Sequence, residues 1–580
     1  MRNDTSDADT SFRFEGRAIS CPPGVSLAAA LAGAGESVFG IGPNGETRGI
    51  FCGMGVCQEC RVVVNGRHGF RACMTAAEEG LEVAKETGPA SIEPIAGAHD
   101  DKDDHEVLTP ELLVIGAGPG GLMAASIAAE SGIETVVLDE RTTGGGQFYK
   151  QPASAGLVPK SLLRDRQIRD GRSLLQRAVA SGAKLRFGSR LWGAFPPMDF
   201  AVFDGQRSRI YRPRHAIVAT GAYERGLPLP GWTLPGVMTT GAAQSMLRSY
   251  GSAPAGRILI AGNGPLNLQI ALELKRAGAD VVGLFELARR PGLRSTFDAL
   301  RIGLSAPHLT LTGVRYLVEL QRNGVTARFG QGLGRIEQHS SQLTAVLGPV
   351  RKGTVQPETE IDVDVVCMGY GFQPNNGVLR SLGCRHEFDS AKGQLTTVRS
   401  ADCATTVPGV FAVGDCTGLK GAPMALEEGA IAATAVVSSL KGDLPRQCGK
   451  AHRAAVRRLR RHARFQSALW SIYAAPRLES ELADSNTVIC RCENVRLQDI
   501  ERVLDDDQIS IGSLKRATRL GMGPCQGRYC APVAASLLAE MSGRTLEEFS
   551  FFAPQNPQQP IRIAKIISNH AGANGTFQAS

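Results

Sequence analysis

No stretch of this 580-residue chain stays apolar for the roughly 20 residues that a helix needs to cross a bilayer, so no transmembrane segment is expected. The opening MRNDTSDADT has no apolar run behind a positive segment, and no secretory signal is expected either. Aromatic residues make up only 6% of the chain, with three tryptophans. The one strongly basic run, Arg446 to Arg464 (RQCGKAHRAAVRRLRRHAR), contains none, so it offers no base-stacking platform and no nucleic-acid partner is expected. It reads as a solvated helix face, with docking to a partner or a membrane surface as the alternative. Net charge is a modest +8, much of it in that run. The central region also lacks the C-x-x-C pair of a flavin-linked redox disulfide. The expected location is the cytoplasm, with a peripheral place at the inner membrane face as the alternative.

Cysteine, by contrast, is plentiful. Of fourteen cysteines, eight fall into two quartets at opposite ends of the chain. Cys52, Cys57, Cys60 and Cys73 are spaced C-x4-C-x2-C-x12-C, and Cys490, Cys492, Cys525 and Cys530 are spaced C-x-C-x32-C-x4-C. Cysteine used this way in a cytoplasmic chain points to metal or redox work rather than to disulfides. Four thiolates gathered by loops suit a 2Fe–2S cluster, and C-x4-C-x2-C…C is the plant-type ligand run. Gly53 and Gly55, between ligands, let backbone amides turn towards the sulfurs. Zinc is the rival for both quartets, more so for the second on ligand chemistry alone. The other six (Cys21, Cys367, Cys384, Cys403, Cys416, Cys448) read as small apolar fillers, Cys416 with a place beside the flavin as its alternative.

Between the quartets the chain alternates strands and helices. Leu112–Ile115 leads into Gly116-Ala117-Gly118-Pro119-Gly120-Gly121, then a helix, then Thr135–Leu138 ending at Asp139-Glu140. In this fingerprint the first glycine permits the turn, the second lets the backbone approach a pyrophosphate, and the third lets helix and strand pack closely. An acid about twenty positions on takes the ribose hydroxyls. Asp139 is the first choice and Glu140 the second. Three later segments resemble those of two-dinucleotide-binding flavoproteins: Gly145-Gly146-Gln147, Thr220-Gly221 after Ala219, and GVFAVGD ending at Gly414-Asp415. That resemblance makes the nucleotide FAD and implies that Asp415 reaches its ribityl and pyrophosphate region. A second unit runs from Arg257 to Glu286 through Gly262-Asn263-Gly264-Pro265-Leu266-Asn267. Its third glycine is replaced by Asn267, whose side chain should hold the helix off the strand and crowd the site. NAD(P) binding there and a vestigial or repurposed fold both stay open, with Arg289 and Arg290 within reach of a 2′-phosphate or simply solvated.

The expected fold is α/β: two nested Rossmann-type domains, an N-terminal β-grasp ferredoxin-like domain and a small C-terminal helical module. The boundaries expected are 12–86 for the ferredoxin-like domain, 87–110 for a linker, and 111–236 with 365–442 for the FAD-binding domain. The second dinucleotide domain takes 237–364, a basic helical segment 443–485, the second cluster module 486–540, and a tail 541–580, loosely held after Pro554.

The whole chain resembles the α-type subunit of multi-subunit flavin-dependent amine dehydrogenases: hydrogen cyanide synthase, opine, proline and hydroxyproline dehydrogenases, and heterotetrameric sarcosine oxidase. The motifs that carry this are GAGPGG, GGGQFYKQ, ATGAYERGLPLPGWTLPGVMTTGAAQ, VCMGYGFQPN, GVFAVGDCTG and CRCE…GMGPCQGRYC. The C-terminal module resembles bacterioferritin-associated ferredoxin with a wider second pair, and this favours a second 2Fe–2S cluster. The resemblance implies that amine oxidation occurs on a partner flavoprotein of the D-amino-acid-oxidase type. This chain would then pass electrons towards a quinone or another acceptor, with no catalytic residue of its own. Tyr223, Glu224 and Arg225 read as structural, with a contact to another subunit or to the cofactor as the alternative. The competing expectations are a stand-alone NAD(P)H-dependent reductase and a non-catalytic redox sensor.

Overall fold

The computed structural model describes residues 9–561 apart from 43, 89–105, 155, 291–306, 341, 352, 444, 477, 479–480 and 505–509. The expectations for residues 1–8, for most of the linker and for 562–580 lie outside the described residues.

At the N-terminus, Thr10–Phe14 and Arg17–Cys21 pair antiparallel and turn Phe12, Phe14, Ile19 and Cys21 inward. Strand alternation, one face apolar, is the cause. The Asn65-Gly66 turn, both residues at positive φ, closes the Arg61–Val64 and Arg67–Arg71 hairpin. Ser26 caps the helix Leu27–Gly33 by accepting from Ala29 N at 3.3 Å. This helix packs into one core with Ala242, Ala243, Met246 and Leu247 of the helix Thr240–Tyr250. A backbone bond from Thr239 N to Phe51 O (2.8 Å) ties the same two regions. The first module is therefore built into the core rather than hung from it.

Two parallel five-stranded sheets form the centre. The first runs Lys184–Arg186, Thr135–Leu138, Leu112–Ile115, His215–Val218, Val410–Ala412. The second runs Val237–Thr239, Val365–Gly369, Arg257–Gly262, Asp280–Glu286, Ala327–Phe329. Runs such as LLVI and VVCM are buried on both faces, as parallel strands under helices must be. The second sheet is inserted into the first, and the two chain crossings pair with each other, Ala222–Glu224 against Phe372–Pro374.

Three expectations are corrected. Val365–Gly369, assigned to the FAD domain, is the second strand of the other sheet, paired with both Val237–Thr239 and Arg257–Gly262. An apolar run suits either sheet, and only tertiary pairing decides between them. Val107–Leu108, assigned to the linker, pairs with Ser208–Tyr211. The tail is held through residue 560: Asn556 hydrogen-bonds both the N–H and the carbonyl of Ala194, Gln558 donates to Ser381 Oγ at 2.8 Å, and Phe552 is buried. Its Asn and Gln amides, which read as disorder, serve as backbone mimics.

The basic run forms the helix Arg446–Ile472 and packs Cys448 and Ala455 onto the FAD domain, with Arg458 forked onto Glu427. Arg453, Arg457, Arg460, Arg461 and Arg464 remain on its outer side. Among the described residues no helix is long and apolar enough to cross a membrane.

Helices Pro119–Glu130 and Ala422–Lys441 cross through Gly120 and Gly429. A Cβ on Gly429 would strike the Gly120 backbone. Gly429→Leu is therefore expected to destabilise the chain by about 1–3 kcal/mol, since neither helix can yield without repacking. A lowered Tm in thermal unfolding checks it.

Candidate redox site

The carboxyl ends of the first sheet gather all the residues expected around FAD. Gly116 (φ +107°) follows Ile115, and a side chain there would meet the Ala219 carbonyl. A side chain on Gly121 would run into the Gly116 carbonyl. Gly118, in contrast, faces open space, as the glycine that a pyrophosphate approaches should. Gly145 donates to Ala117 O at 2.8 Å, and Gly146 lies against Gly118, which brings the Gly145-Gly146-Gln147 segment beside the turn. Thr220 Oγ1 donates to Asn375 O (2.6 Å), and Val413, before Gly414, donates to Val218 O. Pro119 opens the helix as its first residue.

The acids divide their work. Asp139 accepts from Ala117 N (2.7 Å) and Arg141 N (2.9 Å), so both its oxygens are engaged on the backbone, and burial raises its pKa. Glu140 is half-buried and lies 3.5 Å from the buried Arg71 of the first module. Asp415 accepts from Lys420 N and Gly421 N at the mouth of the helix Ala422–Lys441. That helix end carries positive dipole. Cys416 is fully buried beneath it, donating to Val218 O and Val413 O.

The second turn is shaped alike, but its third glycine is replaced. Gly262 abuts the Gly369 carbonyl, and Asn267 donates to that same carbonyl at 3.0 Å. Asn267 is turned inward and buried, so it does not project into the space over the turn. Gly264, like Gly118, faces open space; Glu286 accepts from Gly264 N (3.0 Å), as Asp139 accepts from Ala117 N in the first turn, and Asn263 donates to Tyr473 O (3.0 Å) just past the basic helix. Arg289 and Arg290 are exposed, Arg290 resting over Phe329.

All eight quartet cysteines are buried and none is in a disulfide. In the first quartet, Met54 N and Cys57 N point at Cys52 Sγ (3.5 and 3.4 Å), and Glu59 N points at Cys57 Sγ (3.5 Å). Gly53 and Gly55, both at positive φ, make this turn possible. Burial pushes the Cys52 thiol up, but hydrogen bonds from Cys57 and the loop amides outweigh it and hold it at about 6. Arg71 braces the loop, donating to Gly55 O at 2.7 Å. In the second quartet, Cys492 Sγ lies 3.8 Å from Cys490 Sγ and 3.6 Å from Cys525 Sγ. Among the described residues no three or more His, Cys, Asp or Glu are set to hold a single ion. A two-iron cluster asks only two protein thiolates of each iron, so close sulfur pairs with amides aimed at them fit it.

The motif around Tyr223 and Trp232 is the junction of both quartets. Phe51, next to Cys52, meets Trp232 and Tyr529 edge-on at 5.7 and 5.4 Å. Trp232 Nε1 donates to Val488 O (2.6 Å), and Tyr223 OH donates to Arg528 O (3.1 Å). Glu224 accepts from Gly241 N at the start of the helix Thr240–Tyr250, and burial raises its carboxyl to about 7. Sequence reasoning missed Arg71 and the junction charges Arg48, Glu59 and Arg491. The available signal was position: Glu59 and Arg491 each lie between two ligands.

Comparison with known proteins agrees with this geometry. A family model described as "Pyridine nucleotide-disulphide oxidoreductase" matches residues 110–429. A "2Fe-2S iron-sulfur cluster binding domain" matches 7–88, and a "BFD-like [2Fe-2S] binding domain" matches 488–540. The cofactors are therefore FAD and two 2Fe–2S clusters. Hydrogen cyanide synthase subunit HcnB of Pseudomonas aeruginosa is 32% identical over 455 residues, covering 77% of this chain and 96% of its own. An opine oxidase subunit of Rhizobium meliloti is 30% identical over 458 residues, covering 79% and 98%. Among solved structures, L-proline dehydrogenase from P. horikoshii superposes with a TM-score of 0.71 at 17% identity, over 97% of this chain and 98% of that one, which is a likeness of fold.

Two outcomes are expected. Cys57→Ser should cut iron from about four to about two atoms per chain and leave the flavin, because each cluster holds two irons. Iron and flavin counts check it. Burial also raises the Glu286 carboxyl to about 7 from an ordinary 4.5, against the pull of the Gly264 and Ala288 amides. The folded state then favours the protonated form, so this contribution to stability is full below about 4.5 and is lost as pH rises through about 7. Glu286→Gln is expected to be more stable than the parent by roughly 1–3 kcal/mol at pH 8, the gap narrowing towards pH 5. Denaturant unfolding at the two pH values checks it.

Proposed function

This chain belongs to the pyridine nucleotide-disulphide oxidoreductase family, and from that premise we propose that it is the electron-relay subunit of an amine, opine or (hydroxy)proline dehydrogenase complex. The observation that carries the reading is Cys52 and Cys57 packed into one core with the whole second quartet, with Arg71 joining the first quartet's loop to Glu140 beside the first dinucleotide turn. At the second turn Glu286 takes the Gly264 amide and the Tyr473 carbonyl takes the Asn263 side chain, so that turn offers a nicotinamide donor fewer free groups than the first offers FAD. The electrons then come from outside the chain.

Bound flavin supplies the conversion between two-electron and one-electron chemistry. The residues of this chain hold it, tune it and lead away from it. Gly116, Gly118 and Gly121 shape the turn, Gly145 and Gly146 flank it, and Asp415 with the opening of the helix Ala422–Lys441 completes the sheet end. Asp139 braces the turn from beneath, leaving Glu140 as the acid whose oxygens the loop does not take. Arg71 links Glu140 to the first quartet's loop. The partner in this reading is a D-amino-acid-oxidase-like flavoprotein that holds the substrate, and the acceptor is a quinone or another respiratory carrier. The place of work is the cytoplasm, with the outer arginines of the helix Arg446–Ile472 as the face for a peripheral position at the inner membrane. The relatives' names, each that of one subunit, support a heteromeric assembly.

The test uses the purified chain with and without its co-encoded oxidase-like partner. An amine or imino-acid substrate is expected to bleach the flavin of this chain only when the partner is present. Oxidation of an amine at full rate by this chain alone would overturn the reading.

A further inference from the structure

The two quartets share more than a core. Glu59 stands between the ligands Cys57 and Cys60, and Arg491 between Cys490 and Cys492. Their side chains are 4% and 5% exposed, and they meet across the module boundary, Arg491 Nη2 lying 3.5 Å from Glu59 Oε2. Arg48 completes a triad: its Nη1 lies 3.3 Å from Glu59 Oε1, and its Nη2 donates to the carbonyl of the ligand Cys492 at 3.3 Å. The Arg491 guanidinium also lies over Phe51 at 4.0 Å and Trp232 at 4.8 Å, and donates to Trp232 O at 2.6 Å. Tyr529, beside the ligand Cys530, has its ring on Phe51 and a buried hydroxyl without a protein partner.

Adhesion alone does not call for this arrangement. Each buried charge costs several kcal/mol of desolvation, and well-packed apolar groups usually join two surfaces as well or better. The charges instead stand where electrons reside. The path between ligand sets is short in chemical terms: Cys57 Sγ accepts from Glu59 N, the Glu59 carboxylate pairs with Arg491, and the Arg491 backbone joins two ligands of the other quartet. One cation, held over the Phe51 ring, thus acts on both sets of sulfurs. Net charge and hydrogen bonds around the sulfurs set cluster potentials.

We propose that Arg491 and Glu59 make the two quartets direct redox neighbours, with Arg491 the positioning residue that locks the loops together and favours the reduced form of both clusters. One electron passed between clusters held on the two quartets would oxidise one and reduce the other by one electron each, with no bond made and no proton moved. The inference rests on the relay reading only for the source of the electrons.

The test takes the full chain with both clusters, dithionite as reductant and electron-spin-resonance detection, without amine or partner. The two reduced signals are expected to broaden or split each other when both clusters are reduced, and not at the stage when one alone is. Arg491→Leu is expected to lower both midpoint potentials, Arg491→Lys to restore both in part, and Glu59→Gln to raise both. Signals that simply superpose, or an Arg491→Leu shift confined to the second quartet, would overturn the proposal. Should Arg491→Leu fail to hold its cluster, the parent's spectrum decides alone. Intact coupling alongside a failed partner test would remove the proposed electron source and leave this inference standing.

Discussion

The buried triad of Arg48, Glu59 and Arg491 constrains the rest of the molecule, because three charges taken out of water must keep their partners in place. Glu59 belongs to the first quartet's loop and Arg491 to the second's, so neither module can drift without stranding a charge. Trp232 and Phe51 hold Arg491 over their ring faces, and Thr239 N ties Phe51 to the start of the helix Thr240–Tyr250. The two cysteine modules are thereby fixed against each other and against the second sheet. An electron carrier needs such fixity, since its centres must stay at constant spacing while their charges change.

The two dinucleotide units show how the same turn can be put to different ends. In the first, Gly121 lets the helix sit on the strand end and Gly118 leaves the pyrophosphate space free. In the second, Asn267 is accommodated by turning its amide onto the Gly369 carbonyl, Gly264 still faces open space, and Glu286 and the chain after the basic helix bond to the loop. The lost glycine is thus taken up without filling the space over the turn.

Much of this was legible in the sequence. Strand, glycine turn, helix and acid came in order at Leu112–Asp139, because parallel strands are uniformly apolar and the turn demands glycine. The ligand quartets were legible for the same reason, since no other residue supplies a thiolate. Three things were not. Val365–Gly369 could pair in either sheet, and its apolar pattern is silent on the choice. The polar amides of Asn556 and Gln558 read as loose tail, yet they replace backbone partners at the edge of the fold. The junction was hidden because Glu59 and Arg491 look like ordinary surface charges until the two ends of the chain meet. Asp139 fell at the offset expected for the ribose acid, but its oxygens are taken by the amides of Ala117 and Arg141.

The central claim is that this chain stores and passes electrons that it does not itself take from a nicotinamide or an amine. Anaerobic titration of the isolated full chain tests it most directly, with absorbance followed at the flavin and cluster bands. Dithionite should deliver about four electrons per chain, two to the flavin and one to each cluster, while excess NADH or NADPH delivers none on the same timescale. Rapid bleaching of the flavin by either nicotinamide would show that the second turn opens to a donor, and would contradict the account.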